Sequence, residues 1–131
     1  MATQRFDSQA FYERLYSFGR RCRELTEKLS KTIANLEYSS QLIRASGSVG
    51  SNYIEALEAM GKKDFIYRLK VSRKEARESV HWLRLISDAN KDLNTEVRKQ
   101  LGDLINEGSE IMKIFTSSIL TCEGKKKFEN Q

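Results

Sequence analysis

Apolar and small residues recur along the chain at alternating steps of four and three, in four separate runs. The first covers residues 8–29 and aligns Phe11, Leu15, Phe18, Cys22, Leu25 and Leu29. The second covers 36–60 with Leu42, Ser46, Val49, Tyr53, Ala56 and Met60. The third covers 64–87 with Phe65, Leu69, Ser72, Ala76, Ser79, Leu83 and Ile86. The fourth covers 95–122 with Val97, Leu101, Leu104, Gly108, Ile111, Phe115, Ser118 and Cys122. A sustained alternation of this kind is the seam of an amphipathic helix packed in a coiled-coil-like way. Asp7 or Ser8, Asn35 and Asn94 stand where side-chain oxygens can accept from free N–H groups at a helix start. The connectors 30–35, 61–63 and 88–94 are short, which makes consecutive helices antiparallel neighbours. The pattern therefore predicts an all-α, antiparallel up-down-up-down four-helix bundle over residues 1–123. The polar, basic segment 124–131 is expected to be disordered.

One stretch of the second run tests that reading. RASGSVGSNY, residues 44–53, holds two glycines and three serines, a composition typical of a loop. The helical phase nevertheless continues through it from Leu42 to Tyr53. A second line, shifted by one position, contains Ile43, Gly47, Gly50, Ile54, Leu57 and Gly61. Interior glycines and serines cost such a helix about 3–4 kcal/mol in total relative to alanine, so packing on a second face must offset them. Gly47, Gly50, Ile54 and Leu57 are expected to pack against another helix or another subunit. Ile105, Met112 and Ile119, together with Tyr12 and Tyr16, extend the apolar surface beyond one core, which favours an oligomer.

The chain has 131 residues, enough for one domain with a core. It has no proline, 31% charged residues and a formal charge of +5, a balance that favours an anionic partner. No apolar run approaches the roughly 20 residues of a membrane span, and MATQRFDSQAF lacks the apolar centre of a signal peptide. A cytoplasmic location, with no membrane partner, is the expectation. Cys22 and Cys122 have no metal-ligand spacing and both fall on apolar lines, so both are expected to be buried thiols. The topology sets them too far apart for a disulfide.

Residues 41–86 resemble the four-helix proteins encoded in intervening sequences of bacterial large-subunit ribosomal RNA genes. The resemblance rests on Gln41, Leu42, Arg44, Ser48, Val49, Asn52, Glu55 and Ala56, then Asp64 and Phe65, then Lys74-Glu75-Ala76-Arg77-Glu78-Ser79 with Trp82 and Leu83. Gly61 stands where that family often has serine, and His81 where tyrosine is common. The resemblance implies a ring, usually a homopentamer, and no settled activity. A related group serves diversity-generating retroelements, binding nucleic acid and a reverse transcriptase. Arg44, Ser48, Asn52, Glu55 and Glu78 are the polar residues of the family pattern. They are read as a hydrogen-bonded network fixing register or subunit contacts, or alternatively as a ligand site.

Candidate chemistry is sparse. Gly47-Ser48-Val49-Gly50-Ser51 lacks the preceding strand and the Gly-Lys-Ser/Thr ending of a phosphate loop. Glu78-Ser79-Val80-His81 has Glu-x-x-His spacing, but a di-iron bundle needs two such motifs and His81 is the only histidine. No catalytic residue, metal or cofactor is assigned, and a non-enzymatic protein is expected. The strongest lead is basic: Lys63, Lys70, Arg73, Lys74, Arg77 and Arg84 crowd the outer side of helix three. Arg20 and Arg21, with Arg23 and Lys28, do so late in helix one, and Lys125–Lys127 add a basic end. Clustered cations suit the phosphates of RNA or DNA. The competing reading is a solvated face balanced by Glu75 and Glu78, on a scaffold that recruits a partner protein.

Overall fold

The computed structural model describes residues 6–124; the basic segment 125–131 lies outside them. Four α-helices make up the fold: α1 (Ser8–Thr26), α2 (Ile33–Leu57), α3 (Lys62–Ala89) and α4 (Thr95–Cys122). No strand occurs among the described residues. Asp7, Thr32 and Asn94 cap α1, α2 and α4, their side chains accepting from the N–H groups of Ala10, Asn35 and Val97. Gly61 precedes α3 with φ +114°, a conformation that penalises any residue with a Cβ.

The four-and-three lines form one core. Phe18, Cys22, Leu42, Val49, Ala76, Leu83, Ile86 and Ile111 are fully enclosed. α1 packs on α2 and α4, and α3 packs on the same two helices. Near the start of α1, Phe11 meets Tyr53 and Phe115 edge-on at 5.1 and 5.2 Å, closing one end with an aromatic trio. At the other end Asn35 and Asn90 are buried and exchange two side-chain hydrogen bonds of 2.8 and 2.7 Å. Asn35 also donates to the Ser30 carbonyl, Asn90 to the Ile86 carbonyl, and Arg98 to the Asn90 carbonyl. This knot ties the start of α2 to the end of α3 and the start of α4.

Several sequence expectations need correction. α2 begins at Ile33, capped by Thr32, so Asn35 is not a cap. It lies in the first turn facing inward, where its amide is worth more in the buried pair. α1 ends at Thr26, three residues early, and α3 extends to Lys62 and Ala89. Met60 leaves the core because α2 stops at Leu57; it is 93% exposed. On α4 the last core contact passes to Ile119, leaving Ser118 and Cys122 half-buried. Cys22 is buried, and both thiols are free.

The run RASGSVGSNY is helical throughout, but its second line is not buried within the chain. Gly50 is enclosed, whereas Ile43, Gly47, Ile54 and Leu57 are exposed. Gly19 of α1 packs close to α2: an added Cβ there would lie 3.3 Å from the Ser46 carbonyl oxygen and 3.7 Å from the Gly47 Cα. Gly108 on α4 is tighter still: a Cβ there would lie 2.6 Å from Val80 and 3.3 Å from Phe18. The glycines that close packing demands are therefore on α1 and α4.

Candidate nucleic-acid interface

α3 buries Leu69, Ser72, Ala76, Ser79, Leu83 and Ile86, and this line fixes the opposite face by helical geometry. That outer face carries Lys63, Tyr67, Lys70, Lys74, Arg77, His81 and Arg84, all exposed and again spaced four and three apart. The row runs for about 32 Å at the α-helical rise. Lys70 pairs with Glu123 at 3.2 Å; Lys63, Lys74, Arg77 and Arg84 make no ion pair among the described residues. Glu75 is half-buried, and its carboxyl is pushed up by burial and by Glu78, against the lowering effect of Lys74. The i,i+4 neutralisation by Glu75 and Glu78 expected of a balanced surface is absent from the ion pairs of this helix.

The other basic candidates behave differently. Arg73 is half-buried and donates to the Thr116 hydroxyl at 3.3 Å, turning toward α4. Arg20 pairs with Glu24 at 3.4 Å and Arg23 with Glu27 at 3.2 Å. Arg21 is half-buried in a recess with Glu24, Lys28 and Asp103, and Lys28 donates to Gln100 at 2.6 Å. Arg20 and Arg23 are thus paired with carboxylates of their own helix, and the exposed row of cations outside any ion pair lies on α3.

The polar set of α2 divides. Ser48 donates to the Arg44 carbonyl at 2.8 Å, and Asn52 donates to the Ser48 carbonyl at 2.9 Å. Arg68 reaches Asn52 across the helix pair at 3.5 Å. Such back-bonding satisfies side chains within the helix rather than presenting them to a ligand. Glu55 and Glu78 are exposed and meet neither Arg44 nor Arg77 in an ion pair. The structure does not bring the five residues together as one network. A buried hydrogen bond also crosses this contact, from Ser72 to the Val49 carbonyl at 3.0 Å.

Gly47, Gly50 and Ile54 line a groove between α1 and α2 of about 390 Å³, with Tyr12, Leu15, Tyr16 and Ile43. Leu57 lies outside it, in an apolar cleft of about 350 Å³ at the aromatic end, beside Phe6, Phe65 and Cys122. His81 stands edge-on to Trp82 at 4.9 Å, and Trp82 packs against Tyr38 at 6.1 Å. Among the described residues no group of three His, Cys, Asp or Glu side chains gathers at metal-binding distance. Among the described residues no helix is long and apolar enough to cross a membrane.

Sequence reasoning missed the Asn35–Asn90 pair and the bidentate Arg14–Glu107 bridge, both at 2.8 Å between helices far apart in sequence. Nothing in local spacing marks either. It also left Tyr67 and His81 out of the basic row, although both share its four-and-three phase.

The match extends well beyond α2 and α3: residues 8–117 fit the 23S rRNA-intervening sequence protein family. The chain belongs to that family. The matched span starts with α1 and ends within α4, so the outer helices are included. The fold is similar to a crystal structure from the S23 ribosomal protein family of Bacteroides thetaiotaomicron, a protein of unknown function. The two share 28% identity with a TM-score of 0.70, over 82% of this chain and 96% of that one. A comparison with curated proteins gives no match.

Proposed function

We propose that this family member is a non-enzymatic, cytoplasmic homo-oligomer that binds RNA or DNA through phosphate contacts to the outer face of α3. The observation that carries the reading is the row from Lys63 to Arg84, in which four cations stand outside any ion pair among the described residues. The cations of such a row displace counterions condensed on nucleic-acid phosphates, and that release gains affinity without reading sequence. The helices alternate in direction as an antiparallel up-down-up-down bundle. The aromatic trio at one end and the asparagine pair at the other support that order. The assembly is a ring, pentameric as the resemblance implies, in which a second copy covers the α1–α2 groove. The exposure of Ile43 and Ile54 beside Gly47 supports this, since a contiguous apolar patch is stabilised by being covered. Repeating a +5 chain around a ring makes the field collective.

The test is a salt titration of RNA binding with the wild type and a variant carrying Lys63→Glu, Lys74→Glu, Arg77→Glu and Arg84→Glu. Wild-type affinity should fall linearly with salt on logarithmic axes, and the variant should lose binding at unchanged helicity. Equal binding by the variant refutes the reading. A second reading is a scaffold that recruits a partner protein, such as a reverse transcriptase by analogy with the retroelement group. It draws on Ile33, 85% exposed, and Leu36, which lie outside the α1–α2 groove. A stable protein partner retained after nuclease treatment would favour it.

A further inference from the structure

The row on α3 is not uniformly basic. Tyr67 has Lys63 four residues before it and Lys70 three residues after it; His81 has Arg77 four before and Arg84 three after. Side chains at these spacings are neighbours on a helix surface. A cation–ring–cation unit therefore occurs twice, about 21 Å apart along the helix, with Lys74 midway between the rings and Lys70 of the first unit paired with Glu123.

Neither ring has a core role. Tyr67 is 59% exposed, and its one described ring contact is the Arg68 guanidinium carbon at 5.7 Å from the ring centroid. His81 is exposed too, but it leans edge-on against Trp82, which Tyr38 supports from α2. That backing orients the imidazole at the surface before any ligand arrives. Exposed aromatic faces set among cations are the elements of a stacking track for unpaired bases. A duplex laid on a single convex helix offers phosphates and sugars, and its bases stay stacked on one another. The two rings gain nothing from it, whereas a single strand can splay a base onto each ring and pass its phosphates to the flanking cations.

We propose that the outer face of α3 is a single-strand nucleic-acid track, in which Tyr67 and His81 each stack an unpaired base and the bracketing cations hold the adjoining phosphates. The proposal rests on the nucleic-acid reading above and narrows it to one class of ligand.

The experiment measures binding of the full chain to labelled oligouridylate and to an RNA duplex of equal length, by fluorescence anisotropy at low salt. The proteins are wild type, Tyr67→Phe, Tyr67→Ala, His81→Ala and the double alanine variant, with circular dichroism checking that each is folded. Oligouridylate should bind more tightly than duplex. Each alanine variant should weaken oligouridylate binding at least about fivefold, in line with loss of one stacked base, and leave duplex binding within about twofold. Tyr67→Phe keeps the ring and should bind as the wild type. Trp82, the single tryptophan, should change its fluorescence when oligouridylate is added and not when His81 is alanine. Equal affinity for both ligands, or oligouridylate binding indifferent to both alanine changes, overturns the stacking track while the phosphate reading stands. Binding to neither ligand overturns both.

Discussion

Asn35 and Asn90 show how a few polar atoms hold one end of the fold. Each amide is buried and fully partnered, so removing one partner leaves the other amide desolvated with an unmade hydrogen bond. Asn35→Ala should destabilise the chain by about 1–3 kcal/mol, read as a lower urea midpoint at unchanged slope. Gly108 is as exacting for a steric reason. A methyl group there would meet Val80 and Phe18 inside contact distance, so Gly108→Ala should cost about 1–3 kcal/mol by overpacking. Cys22 adds a pH dependence. Burial pushes its thiol up to about 12 from an ordinary 9.0, with smaller lowering effects from the Ser46 hydroxyl and from Arg21. A raised folded-state pKa favours the neutral thiol, so its stabilising contribution is complete below pH 9. It is lost as pH rises from 9 toward 12, because the unfolded chain ionises first. Denaturation midpoints should therefore fall across that window, and less so in Cys22→Ala. A thiol reagent at neutral pH should label half-buried Cys122 before Cys22, which reacts on unfolding.

At the scale of elements, α2 is the helix whose composition fits the isolated chain least well. Its serines bond back to their own helix, at Ile43, Arg44 and Ser48. Gly47 has open space where its Cβ would be, so nothing within the chain requires glycine there. Gly47→Ala should raise stability by up to about 1 kcal/mol through helix propensity alone. Gly47→Leu puts a large side chain into the α1–α2 groove and should lower the assembled mass seen by light scattering while helicity is kept. A Gly47→Leu protein of unchanged mass would place the groove outside the interface. Gly50 sits between these cases: an added Cβ would touch Leu15 and Tyr12 at ordinary distances of 3.8 and 3.9 Å. Alanine is tolerated there. α3 is the complementary element: its inner face is small and branched, and its outer row from Lys63 to Arg84 holds cations and rings, with the exposed carboxylates of Glu78 and Asp88 on the same helix.

The whole molecule separates its two surfaces. The apolar groove belongs to α1 and α2 and the cationic row to the outer face of α3, so an assembly through the groove would leave the row open. Light scattering should give five times the 15.2 kDa chain mass for a pentamer, and RNA should add to that mass without dissociating it. Four helices, their core lines and the caps at Asp7 and Asn94 were legible in the sequence because periodicity and capping are local. The α3 row was legible for the same reason, apart from its two rings. The start of α2 was misread because Asn35 has the chemistry of a cap and a better partner fifty-five residues away. Arg73 turns toward Thr116 on α4, which sequence spacing does not show, whereas the Arg20–Glu24 and Arg23–Glu27 pairs lie four residues apart and were open to a sequence reading.

The sequence by itself determined the helices and which face of each is apolar, since both follow from a period of about 3.6 residues. Only the tertiary structure decided which polar groups are satisfied inside the fold and which are left to the surroundings. Hydrogen bonds such as Asn35–Asn90 and Arg14–Glu107 join residues whose separation along the chain carries no local signal. Arg14 is taken up by such a bridge, whereas Arg20 and Arg23 meet carboxylates only four residues away, and Lys63, Lys74, Arg77 and Arg84 stand outside any ion pair among the described residues on one helix face.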